Sequence, residues 1–196
     1  TEDIAIMRAL PNMTVIAPGD PVEAAAATRA IINWPGPCYL RLGRAGEQTV
    51  HQSEIDFRIG KAIQLSEGED LTLISTGGLL PSAVAVASQL LEHDITTRVL
   101  SMHTVKPLDT EAVLSAVNET RAMATLEEHS IIGGLGGAVA EVLAESSERK
   151  VPFTRIGLES VFVSAAGDQQ YLRAAFGLSI EKIVSRLLKL VGRDFP

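Results

Sequence analysis

Cysteine is nearly absent. Cys38 is the only one in 196 residues, so no disulfide can form within the chain, and a lone thiol fits a reducing compartment. No uncharged apolar run approaches the roughly 18 residues that span a bilayer, and no signal peptide opens the chain. Positive charge is also short. Lys and Arg number 17 against 24 Asp and Glu, a net charge of −7, which argues against the basic face that non-specific nucleic-acid binding requires. Glycine (16) and proline (9) stay near ordinary use, which excludes collagen-like and low-complexity chains. These absences predict a cytoplasmic protein with neither nucleic acid nor membrane as partner. An initiating methionine is missing too: the chain begins at Thr1, so either its start is processed or it is a piece of something longer. Aromatics at 4% with a mean hydropathy of +0.20 lean the same way, toward aliphatic surface buried in an interface.

What is present divides in two. Residues 44–58 (RAGEQTVHQSEIDFR) are polar, without helical period or apolar face, and read as a linker. Before them, Met13–Ala17 (MTVIA) reads as a buried strand. Asp20-Pro21-Val22-Glu23 then supplies a helix start, with an acidic N-cap, Pro at the first helical position and Glu at the third. An alanine-rich helix should follow to about Asn33 and stop at Trp34-Pro35-Gly36-Pro37, before a strand at Cys38–Leu42. Some 40 residues of strand–helix–strand cannot cover both faces of their own sheet, so this part must lean on other chain.

After the linker, strands are predicted at Leu71–Ser75, Thr97–Ser101, Ala122–Leu126 and Phe153–Gly157, with helices at about 81–93, 109–119 and 136–147. The last helix is written most plainly. Ile180, Ile183, Val184, Leu187, Leu188 and Val191 form one stripe, Lys182, Arg186 and Lys189 lie off it, and Ser179 stands at the N-cap. Strands alternating with helices of this length imply right-handed crossovers. The fold class is therefore α/β: a three-layer α/β/α domain with a mostly parallel sheet, preceded by a partial α/β domain.

In such a sheet ligands bind beyond the carboxyl ends of the strands. Thr76-Gly77-Gly78 lies there; its N–H groups could hold an anion, or its glycines could simply permit a tight turn. Gly133-Gly134-Leu135-Gly136-Gly137 opens a helix, but its spacing is not G-x-G-x-x-G and no acidic residue follows at Lys150–Pro152, which opposes a nicotinamide site. Glu127-Glu128-His129 could bind a metal, yet neighbours on a strand face opposite ways and no further cluster completes the set. His51, His93 and His103 are isolated and read as surface or capping residues. Neither a P-loop nor G-x-S-x-G occurs, and Cys38, inside a strand, reads as a buried inert thiol. Arg44 stands just past the strand of Tyr39-Leu40-Arg41-Leu42-Gly43, where a guanidinium can grip a phosphate or can merely be solvated.

The same residues carry a resemblance. Glu2–Met13 (EDIAIMRALPNM) is similar to a segment late in the pyrimidine-binding domain of transketolases, and Pro37–Arg44 (PCYLRLGR) resembles that domain's last strand. Val105-Lys106-Pro107-Leu108-Asp109, and Glu127-Glu128-His129 followed by Gly133–Ala138, resemble the transketolase C-terminal domain. Similar stretches occur in 1-deoxyxylulose-5-phosphate synthases and in 2-oxoacid dehydrogenase beta subunits. The likeness runs through essentially the whole chain in order.

It implies domain limits of 1–45 for the end of a pyrimidine-binding domain, 46–58 for the linker and 59–196 for the C-terminal domain. It also implies two-carbon ketol transfer between sugar phosphates by a larger enzyme, a homodimer whose thiamine diphosphate and Mg²⁺ are held mainly by an N-terminal diphosphate-binding portion or subunit. No catalytic, cofactor or metal residue is carried over to this chain, which is expected to be inactive alone. One substrate residue is: Arg44 matches the family's sugar-phosphate-binding arginine. Asp3 does not match the family's hydroxyl-recognising aspartate, since it falls in a segment resembling the helix after that site. The alternatives are a non-catalytic assembly or regulatory module binding an anion at Thr76–Gly78, or the corresponding part of one of the two related enzymes.

Overall fold

A computed structural model describes residues 1–43, 46–148, 150–162 and 164–192. The N-terminal section holds α1 (Asp3–Ala9), β1 (Thr14–Ile16), α2 (Pro21–Ile31) and β2 (Cys38–Leu40). The start of α2 is built as its sequence demands. Asp20 Oδ1 accepts from the Glu23 N–H at 2.8 Å, and Glu23 Oε2 accepts from the Gly19 N–H at 2.6 Å. Two N–H groups that the helix could not itself satisfy are thereby bonded.

The second section runs β3 (Ile63–Ser66), β4 (Leu71–Thr76), a 3-10 turn at Gly77–Leu79, α3 (Leu80–Leu91), β5 (Thr97–Ser101), β6 (Thr104–Lys106) and α4 (Thr110–Glu119). It continues through β7 (Ala122–Ser130), α5 (Leu135–Glu145), β8 (Phe153–Leu158), α6 (Gln169–Ala175) and α7 (Ile180–Leu190). Five strands form one sheet in the order β3-β5-β4-β7-β8, parallel except for β3, which pairs antiparallel with β5. Period-two alternation splits its core. Leu71, Leu73, Val99, Ala124 and Leu126 face α3 and α7, whereas Ile74, Leu100, Met102 and Met123 face α4 and α5. Helices on both faces complete the three layers read from the sequence.

β6 was not foreseen. It leaves the large sheet and pairs antiparallel with β1, giving a small sheet of order β2-β1-β6. The N-terminal section therefore does lean on the rest of the chain, with Ile4, Val15, Ala17, Val105 and Ala138 forming a shared apolar cluster. Described residues of 46–58 contain neither helix nor strand, yet they are tied down: the Val50 and His51 N–H groups both donate to Asp20 Oδ2 at 2.9 Å, and Phe57 stacks on His103 with ring centroids 4.0 Å apart. Among the described residues no helix is long and apolar enough to cross a membrane.

Candidate functional site: a filled crevice and the cavity beside it

From β4 the chain passes to β5 on one side; from β7 it passes to β8 on the other. The carboxyl ends of β4 and β7 thus flank the switch point, where an open α/β sheet ordinarily takes its ligand. Here that place is occupied by the chain itself. Gly77 N–H donates to Ala17 O at 3.0 Å, and Ala17 N–H donates to His103 O at 2.7 Å. At the end of β7, Ser130 N–H reaches Thr1 O at 2.9 Å, and Ala5 N–H donates to His129 Nε2 at 3.4 Å. Arg41 binds Asp3 Oδ2 through Nε at 2.8 Å and Glu128 O through Nη2 at 3.1 Å, while Tyr39 Oη donates to the same Asp3 oxygen at 2.8 Å. Arg8 donates to Gly133 O at 2.7 Å. The N-terminal section is thereby plugged into the crevice by hydrogen bonds to the ends of β4 and β7.

The three residues of the Glu-Glu-His run lie inside β7, which extends past its expected end, and they divide as strand alternation requires. Glu127, fully buried, accepts from the Leu135 and Gly136 N–H groups at 2.7 and 2.8 Å and so caps α5. Burial outweighs those two bonds and pushes its carboxyl up to about 7. His129, also buried, gives its Nδ1 proton to Ser130 O at 2.7 Å and accepts from Ala5 at Nε2, so a single neutral tautomer satisfies both; burial lowers its basicity. Glu128 points the other way and pairs with Arg173, whose Nη2 also reaches Gly78 O at 3.0 Å. The run is a joint, not a metal set.

Other expectations need correction. His103 is fully buried beneath Phe57, and desolvation holds it down at about 4; His51 is nearly as deep, bonded to Glu23 Oε1 at 2.9 Å, which raises its pKa. Neither is a surface residue. Cys38 is half-exposed rather than buried, although desolvation still raises its thiol above the ordinary value, against a nucleophilic role. The anion reading of Thr76–Gly78 also fails. The Gly77 N–H is taken by Ala17, and the Glu47 carboxylate lies against Gly78, within 2.5 Å of where a β-carbon would stand. Arg44 falls outside the described residues.

Glu47 and Arg173 border a cavity of about 620 Å³ between residues 46–48, the start of α3, and α6–α7. Sequence reading missed it, because its walls come from residues 46–48, 78–85 and 169–181, which no local pattern joins. Elsewhere, no group of three or more His, Cys, Asp and Glu among the described residues could hold a metal ion. At the two glycine turns the Gly77 N–H is bonded to Ala17 O and the Leu135 and Gly136 N–H groups to Glu127. A cofactor's diphosphate and its metal do not fit the described residues of this chain.

An α/β/α domain whose ligand crevice is filled by the end of another α/β unit is thus defined by its fold. Residues 60–183 match the transketolase C-terminal domain and residues 1–46 the transketolase pyrimidine-binding domain; the chain belongs to the transketolase family. It is 41% identical to a putative transketolase C-terminal section of Methanocaldococcus jannaschii, over 98% of this chain and 60% of that protein. It is also 41% identical to a 6-deoxy-6-sulfo-D-fructose transketolase subunit of Clostridium sp., over 93% of this chain and 56% of that protein. Among solved structures it resembles a split-gene transketolase, described as an inactive β4 tetramer, with a TM-score of 0.91 and 36% identity over 99% of this chain and 63% of that one. The chain spans about 60% of the length of these two curated relatives.

Proposed function

We propose that the chain is the C-terminal section of a split transketolase. In this reading it works with a separate N-terminal, diphosphate-binding subunit to move a two-carbon ketol unit between sugar phosphates in the cytoplasm. The assembled enzyme is a homodimer of such pairs, with thiamine diphosphate and Mg²⁺ seated mainly in the other subunit. Residues 1–45 are the end of the pyrimidine-binding domain, 46–58 the linker and 59–196 the C-terminal domain. The observation that carries the reading is the filled crevice. A sheet that spends the carboxyl ends of β4 and β7 on holding residues 1–17 and Arg41 supports a site built elsewhere.

Arg44 is the substrate residue in this proposal. It lies three positions beyond Arg41 in the sequence, and Arg41 bonds Asp3 Oδ2 and Glu128 O just after β2. Its guanidinium binds the remote phosphate, holds the sugar in line and contributes equally to ground and transition states. Arg44→Ala in the assembled enzyme should raise KM for phosphorylated sugars by roughly 10- to 100-fold with kcat little changed. An unchanged KM would remove Arg44 from the site. The isolated chain should give no heat with thiamine diphosphate and Mg²⁺ in a calorimeter, and titration of the assembled pair should.

A further inference from the structure

Residues 46–58 join the two sections without helix or strand, so their hold depends on the few groups that meet them. At the start of α2 the Val50 and His51 N–H groups both donate to Asp20 Oδ2 at 2.9 Å, and the His51 ring meets Glu23 Oε1 through Nε2, also at 2.9 Å. Both carboxylates are buried. Each also takes an N–H of its own section, Asp20 Oδ1 that of Glu23 and Glu23 Oε2 that of Gly19. Among the described residues, His51 is the one basic side chain within ion-pair distance of either.

His51 therefore sets the charge of the joint. Protonated, it balances one of two buried carboxylates and makes a charge-assisted bond to Glu23. Neutral, it can still donate from Nε2, but both carboxylates then stand buried with no described cation paired to them, a costly arrangement. The other charged groups nearby do not restore the balance. Glu54, on the same segment, adds like charge; Arg29, farther along α2, lines the cleft beside His51 and Glu54 but is exposed. His103, between β5 and β6, is kept neutral by its burial, and Asp109 at the N-cap of α4 acts on His103. Two contacts of the segment are indifferent to the proton: Val50 packs against the core cluster that includes α3 and α7, and Phe57 stacks on His103. Loss of the charge thus eases the segment near residues 50–51 without freeing it.

We propose that residues 46–58 form a proton-governed strap, clasped to Asp20 and Glu23 while His51 is charged, eased open at Val50 and His51 when the ring is neutral, and fixed at Phe57. The bond to Glu23 raises the basicity of His51 against the opposing effect of burial, which agrees with the charged form being the clasped one. Opening therefore follows as pH rises through the native value of His51. The strap does not depend on which reaction the assembled enzyme performs.

Amide hydrogen exchange by NMR on the full chain, from about pH 6 to about pH 9 and corrected for the intrinsic pH dependence of exchange, tests this. The Ala62 N–H, which donates to Asp109 Oδ2 at 2.9 Å, is the internal reference. Protection of the Val50 N–H should fall about tenfold relative to Ala62, the difference between bonding a charged and a neutral partner, with a midpoint that matches the titration of the His51 ring in the same sample. His51→Gln, which keeps a donor without the charge, should leave Val50 less protected at the acid end and flat with pH. Glu23→Gln should shrink the change. Protection of Val50 that stays constant in the parent would overturn the proposal; so would a midpoint away from that of the His51 ring, a parent-like change in His51→Gln, or loss of protection at Val50 and Ala62 together.

Discussion

Gly134→Ala probes the joint between β7 and α5. A β-carbon on Gly134 would fall inside the van der Waals shell of Glu127 Oε2 and 2.7 Å from His129 Nδ1. The backbone raises no objection, since Gly134 sits at φ −79°, where alanine is at ease. The cost therefore lies in what must move. If the Glu127 carboxylate withdraws, the Leu135 and Gly136 N–H groups lose their acceptor in a fully buried place. Each stranded donor costs about 1–3 kcal/mol. If α5 withdraws instead, Leu135 and Val139, both fully buried, lose their packing. Either way about 3–4 kcal/mol should be lost, a fall of roughly 6–16 °C in Tm at this chain length. Urea titration followed by circular dichroism measures it, and two controls fix the cause. Gly137→Ala, three residues along the same helix, meets only Arg8 Nη1 at 3.7 Å and should stabilise by up to about 1 kcal/mol. In a Glu127→Ala background the part of the Gly134→Ala penalty that comes from Glu127 should vanish, leaving the closer fit against His129 Nδ1. A Gly134→Ala protein within about 0.5 kcal/mol of the parent would refute the reasoning.

The raised carboxyl of Glu127 takes up its proton in the native state before the unfolded chain does, so its stabilisation is complete below about pH 4.5 and is lost as pH rises to about 7. The stability difference between parent and Glu127→Gln should change by up to about 3 kcal/mol across that window, and parallel curves would contradict the assignment. His51 is also raised, by its bond to Glu23, so its contribution is complete below the ordinary histidine range and fades as pH climbs through its native value. Stability of His51→Gln should therefore be insensitive to pH near neutrality relative to the parent, and an unaltered profile would show that the pair does not titrate there. Asp3→Ala removes the shared acceptor of Arg41 and Tyr39 and should loosen the N-terminal plug, seen as faster hydrogen exchange at β1 and β2 with the five-stranded sheet unchanged.

Much of this fold was legible because its signals are local. Asp20-Pro21-Val22-Glu23 names its own cap, and the stripe of α7 is unbroken. β4 is a short, largely apolar run between turns, as a fully covered parallel strand should be. The elements that escaped notice exist through partners. Thr104–Lys106 is a strand only because β1 lies beside it, and Ile63–Ser66 is an edge strand with little apolar pattern. His51 and His103 looked isolated because Glu23 and Phe57, which bury them, are 28 and 46 residues away. Glu47 and Arg173 carry no local signal of the cavity they share. The Glu127–His129 run was visible as a motif, but its task of capping α5 and holding α1 becomes evident only where β7 meets both.

The most direct test of the account is reconstitution. The chain and an N-terminal, diphosphate-binding transketolase subunit from the same source are assayed separately and mixed, with a ketose phosphate donor, an aldose phosphate acceptor, thiamine diphosphate and Mg²⁺. Neither should transfer a two-carbon unit alone, and the mixture should. Turnover by the 196-residue chain unaided, or a stable complex of the two that remains inert toward every donor and acceptor pair, would contradict it.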